Sequence, residues 1–142
     1  MADELTFYTH PMSRGRVVRW MLEEVGRPYR TELLEYQASM KAPEYLAVNP
    51  MGKVPAIKHG DTVVTEVAAI CAYLADAFPE AGLAPPVNDP ARGPYYRWMF
   101  FAAGPMDGAV VNRALGVEVP PERKGMVGYG SYAEVMNALE IA

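Results

Sequence analysis

The sequence predicts an α/β unit over residues 1–79, followed by a short all-helical segment over residues 89–142. Three observations carry this reading. A strand, a helix and a second strand follow one another within residues 5–34. A proline-led strand and its hairpin partner precede another helix within residues 54–78. A Pro- and Gly-containing linker at 80–88 then gives way to apolar residues at helical spacing. A strand–helix–strand run implies a parallel strand pair, because only a crossover connection returns the chain in the same direction.

Leu5-Thr6-Phe7-Tyr8 alternates apolar and polar residues and reads as the first strand. His10-Pro11 breaks it. From Arg14 to Val25 the apolar positions Val17, Val18, Met21, Leu22 and Val25 form a helical stripe, with Arg16, Arg19, Glu23 and Glu24 off it. Gly26 and Pro28 mark the helix stop. Tyr29–Leu34 reads as the second strand. A polar link holding Lys41, Pro43 and Tyr45 leads to Asn49-Pro50-Met51-Gly52-Lys53-Val54-Pro55-Ala56-Ile57, where Pro55 must sit at a strand start, an edge or a special turn. Gly60-Asp61 turns the chain into Thr62-Val63-Val64, a hairpin. Thr65 is expected to cap a helix from Glu66 to about Phe78, with Ala69, Ile70, Tyr73, Leu74, Ala77 and Phe78 as its apolar side. Pro79 ends it.

Beyond the linker, Asp89-Pro90 reads as an N-cap with proline at the first helical position. Tyr95, Tyr96, Met99, Phe100, Ala103, Met106 and Val110 recur at helical spacing, and Gly104-Pro105 is expected to kink or split this helix. Residues 116–129 are loop-like. Ser131-Tyr132-Ala133-Glu134 is a capping-box pattern that opens a last helix of scarcely two turns.

The 142 residues are 51% hydrophobic, enough for a packed core. With 17 acidic residues against 13 Lys and Arg, the net charge of -4 argues against nucleic acid as a partner. No apolar run approaches the ~20 residues of a membrane span. The N-terminus, Met-Ala-Asp-Glu, lacks the apolar core of a secretory signal, so a cytoplasmic location is expected. A single cysteine, Cys71, forms no internal disulfide and reads as a small buried hydrophobe; two histidines beside it make a poor metal inventory, so no metal is expected.

Three local texts together resemble the cytosolic glutathione transferase family, in its bacterial type. They are Phe7-Tyr8-Thr9-His10-Pro11-Met12-Ser13-Arg14-Gly15-Arg16, the Asn49–Ile57 segment, and Thr65-Glu66-Val67-Ala68-Ala69-Ile70-Cys71-Ala72-Tyr73-Leu74-Ala75-Asp76. The resemblance implies a thioredoxin-like N-terminal domain (βαβ-α-ββα) at 1–79 that binds glutathione. It also implies a mixed sheet of order 2-1-3-4 and a cis Val54–Pro55 bond. Residues 89–142 resemble only the start of the family's all-helical second domain, so a truncated helical domain is expected. The activity implied is detoxification: conjugation of the glutathione thiolate to a hydrophobic electrophile, with glutathione as co-substrate and no other cofactor. A homodimer is implied as well. The alternative is a non-catalytic glutathione-binding or protein-interaction module of the same fold.

The family places its activating group in the first of these texts. Ser13 lies between strand and helix, and its hydroxyl can sit at the helix N-terminus. A free thiol near pKa 8.5 is mostly protonated at neutral pH. A hydrogen bond to the thiolate, at roughly 1.5–3 kcal/mol, acidifies it by about one to two units. Tyr8 and His10 remain alternatives. Pro55 with the backbone of Val54 would take the tripeptide as an added strand. Lys53 would reach a glutathione carboxylate, and Glu66 the α-amino group. Val67 stands where the family usually has a serine that holds the γ-glutamyl carboxylate. Arg14 and Arg16 at a helix N-terminus, where cations are unfavourable, hint at an anionic neighbour.

Overall fold

The computed structural model describes residues 4–142. The chain divides between Pro85 and Pro86 into two compact units.

The first unit is built on a four-stranded sheet ordered β2-β1-β3-β4. Its strands are β1 (Leu5–Thr9), β2 (Arg30–Leu33), β3 (Ala56–His59) and β4 (Thr62–Thr65). β1 runs parallel to β2 and antiparallel to β3, and β3 and β4 form the hairpin. Helices α1 (Gly15–Val25) and α3 (Val67–Ala77) cover one face, where Leu5, Phe7 and Ile57 of the sheet meet Val18, Leu22, Val25, Ile70 and Leu74. On the other face a 3-10 turn (Ser39–Lys41) and the one-turn α2 (Pro43–Leu46) supply Met40 and Tyr45, which pack with Ala56 and the half-buried Tyr8. The alternation read in β1 thus sends Leu5 and Phe7 to one layer and Tyr8 to the other.

Both helical stripes are narrower than their apolar residues suggest. Val17 and Ala69 are exposed, because each flat layer accepts little more than the i, i+4, i+7 line: Val18, Leu22 and Val25 in α1, and Ile70 and Leu74 in α3. Gly26, left-handed, closes α1 with its N–H on the Leu22 carbonyl. The expected Thr65 cap is corrected by the structure. Thr65 stays in β4, paired with Ala56, and Glu66 is the N-cap residue, with no side-chain cap bond.

In the second unit, α4 (Arg92–Phe101) starts later than Asp89-Pro90 suggests. Asp89 instead caps a preceding turn, its Oδ1 accepting the Ala91 N–H at 2.8 Å. As expected, Gly104-Pro105 divides the α-helix in two, although the helical run itself continues. The pair is absorbed in a π-helical turn (Ala102–Met106) that passes into α5 (Asp107–Ala114), a register that tolerates the missing proline N–H. The 116–129 stretch contains a 3-10 turn, Pro121–Met126. The last helix, α6 (Tyr132–Ile141), has ten residues, nearly three turns rather than two, and Ser131 caps it by accepting the Glu134 N–H at 3.2 Å. No helix among the described residues is long and apolar enough to cross a membrane.

Candidate functional site

Four chain segments meet at one end of the sheet, those that follow β1, β2 and β4 and the one that precedes β3, and three of them carry residues singled out from the sequence. Tyr8 is paired with Ala56, and Ala56 with Thr65. One residue further along each strand, β1 continues into the turn that carries Ser13, β3 is preceded by Val54-Pro55, and β4 gives way to Glu66-Val67. The register therefore gathers Ser13, Val54, Pro55, Glu66 and Val67 at a common sheet end, although they are spread over 55 positions of sequence.

In the β1–α1 turn the Ser13 hydroxyl donates to the His10 carbonyl at 2.7 Å and accepts the N–H of Gly15, the first residue of α1, at 3.0 Å. Gly15 must be glycine here, since a Cβ would lie 2.0 Å from Thr9 Oγ1 and 2.9 Å from Ser13 Oγ. That close approach seats α1 against the end of β1. Arg16 turns back along the loop and donates from Nε to the Pro11 carbonyl at 2.7 Å. Tyr8 lies within β1 itself, and its ring packs on Tyr45, centroids 5.5 Å apart.

The Val54–Pro55 peptide is cis. The segment before it is braced by residues that sequence reasoning did not single out for the site. The Lys53 carbonyl accepts the Tyr45 hydroxyl at 2.6 Å and Asn49 Nδ2 at 2.9 Å, while Asn49 Oδ1 accepts the Met51 N–H. Tyr45 and Asn49 are both buried. Burial pushes the Tyr45 hydroxyl up to about 12, with the Asn49 contact pulling the other way, so it remains a neutral donor. Lys41 Nζ donates to the carbonyls of Met51 and Gly52. Gly52 has φ 56° and no room for a side chain, because a Cβ would stand 2.7 Å from the Met40 carbonyl oxygen. The Lys53 side chain itself is exposed.

Glu66 has φ 70° and ψ 125°, in the positive-φ region that costs a non-glycine residue of order 1–3 kcal/mol. Its carboxylate is exposed, and Val67 begins α3 with its side chain against the core. The first N–H groups of α3 have no carbonyl within the helix to bond, which makes that end electropositive. Cys71 is half-buried further along α3, and burial raises its thiol pKa. Among the described residues no group of three His, Cys, Asp or Glu side chains is placed to hold a metal ion.

This architecture has close counterparts among solved structures. A glutathione transferase homologue from Sulfitobacter, with bound glutathione, superposes with a TM-score of 0.70 and is 31% identical over 99% of this chain and 68% of its own. The chain belongs to the cytosolic glutathione transferase family. A glutathione transferase from Phanerochaete chrysosporium, in complex with oxidized glutathione, gives a TM-score of 0.73 at 30% identity, covering 99% of this chain and 68% of that one. The family domain described as "Glutathione S-transferase, N-terminal domain" matches residues 12–77. Among curated relatives, glutathione S-transferase GstA of Escherichia coli O157:H7 is 44% identical over 61 residues, 42% of this chain and 30% of the relative. A glutathione S-transferase of Xanthomonas campestris is 34% identical over 101 residues, 68% of this chain and 47% of the relative. The matched stretches thus span less than half the length of these two relatives. The fold is a thioredoxin-like βαβαββα unit followed by helices that form a partial C-terminal domain relative to complete transferase chains.

Proposed function

We propose that this transferase-family chain binds glutathione at the sheet end carrying Ser13, Val54-Pro55 and Glu66-Val67, and conjugates its thiolate to hydrophobic electrophiles. The observation that carries the proposal is the convergence of those three segments. Val54 lies outside the strand ladders, and its backbone makes no turn hydrogen bond among the described residues, so an extended tripeptide can pair with it as an added strand. Glu66 takes the α-amino group of glutathione. Where the family commonly has a serine, Val67 leaves the γ-glutamyl carboxylate to the unpaired N–H groups at the start of α3. Lys53 reaches the other carboxylate.

Ser13 holds the sulfur as thiolate. Its oxygen keeps the Gly15 N–H, and its hydrogen turns from the His10 carbonyl to the sulfur. The thiol proton leaves to solvent. The sulfur lone pair then forms a C–S bond, and the leaving group departs with its bonding pair. Rate enhancement comes from thiolate stabilisation and from holding both substrates together. The setting is cytoplasmic and the working form a homodimer.

Turnover of a chromogenic aryl halide with glutathione tests this reading. Ser13→Ala is expected to lower kcat about tenfold or more, with the glutathione Kd nearly unchanged, because the hydroxyl acts on the thiolate rather than on the whole tripeptide. An unchanged rate in Ser13→Ala with a large loss in Tyr8→Phe moves the role to Tyr8. Val67 in place of the serine favours one other reading, a glutathione-binding module without transferase activity. Calorimetric binding of glutathione with no turnover of any aryl halide would decide for it.

A further inference from the structure

The His10 ring is tied down on three sides. Its Nδ1 accepts the Met12 N–H at 3.1 Å, its ring centroid lies 4.4 Å from that of the tilted Tyr36 ring, and its Nε2 is 3.7 Å from Glu35 Oε2. A backbone N–H can only donate, so Nδ1 is the lone-pair nitrogen and the ring proton sits on Nε2, facing Glu35. The side chain is only 16% exposed, although it lies in a turn and next to a proline. Meanwhile the His10 carbonyl accepts both the Ser13 N–H at 3.0 Å and the Ser13 hydroxyl at 2.7 Å. One residue therefore fixes the turn from both of its ends: the ring holds residue 12, and the carbonyl holds residue 13.

We infer that His10 is a positioning residue for Ser13, its Nδ1 serving as the side-chain acceptor that sets the 10–13 turn and hence the place of the Ser13 hydroxyl. The geometry is that of an Asx turn, in which a side-chain acceptor holds the N–H two residues on. The Tyr36 ring and Glu35 lie against the imidazole and favour the rotamer that makes this bond. With it lost, the turn is held only through the His10 carbonyl and its two Ser13 bonds, and it loosens. Ser13 Oγ then keeps its Gly15 N–H but loses its set distance from the bound sulfur. Misplacement of a catalytic group by about 1 Å is enough to cost up to about a hundredfold in rate. This inference rests on the reading that Ser13 holds the thiolate, and it gives His10 no contact with substrate.

The two ring nitrogens can be tested apart. His10→Asn keeps an acceptor at the Nδ1 position, and His10→Gln keeps a polar group toward Glu35 but puts no acceptor in reach of the Met12 N–H. With glutathione and an aryl halide, His10→Asn is expected to hold kcat within about threefold of the parent, and His10→Gln to lower it about tenfold, each with the glutathione Kd nearly unchanged. In a Ser13→Ala background His10→Gln should cost nothing more, since both changes remove the same interaction. Equal losses in His10→Asn and His10→Gln, or an undiminished tenfold loss in the Ser13→Ala background, overturn the inference while Ser13→Ala itself remains costly. If Ser13→Ala alone costs nothing, the Ser13 reading fails first, and this one with it. Should His10→Gln not fold, His10→Leu, which removes both polar ends, replaces it with the same expectations.

Discussion

In the unit that ends at Pro85, the central residues of both covering helices and of the sheet are buried: Phe7, Val18, Leu22, Ile57, Ile70 and Leu74 lie within one contiguous cluster. In the unit that begins at Pro86, the described apolar residues of comparable burial are Ala109 and Val135, while Phe100 is 68% exposed and Leu115 71%. The difference follows from layers. A sheet with helices on one face and a short helical link on the other buries side chains from several elements in one place. The helical unit relies more on local devices: the Ser131 cap, the Asn112–Tyr129 hydrogen bond at 2.9 Å, and the Arg113 guanidinium over the Tyr132 ring at 4.1 Å. The proposed glutathione site sits wholly on the well-packed unit, where its backbone can be held in a demanding geometry.

The sharpest way to break this comparison is to hollow out each unit in turn. Leu22→Ala removes a fully buried side chain from the sheet–helix core and is expected to cost about 2–5 kcal/mol. Leu115→Ala, at an exposed site after α5, is expected to stay within about 0.5 kcal/mol of the parent. Denaturant unfolding followed by circular dichroism measures both. Similar losses in the two variants would mean that the helical unit has a core after all.

A smaller effect is expected at the brace under the Val54–Pro55 segment. Tyr45→Phe leaves the Lys53 carbonyl with Asn49 as its remaining side-chain donor and should cost about 1 kcal/mol. It also changes the alkaline limit. The Tyr45 pKa rises from 10.0 in the unfolded chain to about 12 in the fold, so the folded state favours the protonated hydroxyl. That contribution is fully present below pH 10 and is lost as pH rises from there through about 12. The parent should therefore lose stability over this window, and Tyr45→Phe should lose less. Parallel losses in the two proteins would show that Tyr45 does not carry the alkaline arm.

Much of the first unit was legible because its signals are local and periodic. Alternation in Leu5–Tyr8, the Gly26 stop and the Gly60-Asp61 hairpin turn each depend on a few neighbouring residues, and the structure bears them out. Where the sequence misled, a non-local constraint had decided. Thr65 has the chemistry of a cap, but its pairing with Ala56 keeps it in the strand and passes the turn to Glu66, whose positive φ has no side-chain signature. Val17 and Ala69 fit the helical period yet lie outside the strip that the layers cover. At the candidate site, Ser13, Pro55 and Glu66 stand out in the sequence by residue type and position. Tyr45, Asn49 and Lys41 do not, because a side chain bonded to a distant carbonyl leaves no periodicity. Gly15 and Gly52 could have been found by asking why a glycine stands beside Ser13 and another beside Val54-Pro55.

An effect on stability as small as that of Leu115→Ala is expected at the aromatic face of α4. Tyr96 and Phe100 stand four residues apart with ring centroids 6.5 Å from each other, and both are exposed. Neither belongs to a core cluster, so Phe100→Ala should change the unfolding free energy by no more than about 0.5 kcal/mol. Its effect should fall on association instead. Large contiguous exposed apolar patches mark interaction surfaces, and a two-fold pairing of identical faces is the commonest closed arrangement. At roughly 25 cal/mol per Å2, burying two such rings on each copy contributes a useful part of the several kcal/mol that association costs. Light scattering at low micromolar concentration is expected to give the parent a mass near twice 15.6 kDa, and Phe100→Ala a lower one with unchanged unfolding. A parent chain at 15.6 kDa would remove the homodimer from the proposal. A Phe100→Ala variant as unstable as Leu22→Ala would instead place this ring in a core, and the contrast between the two units would no longer hold.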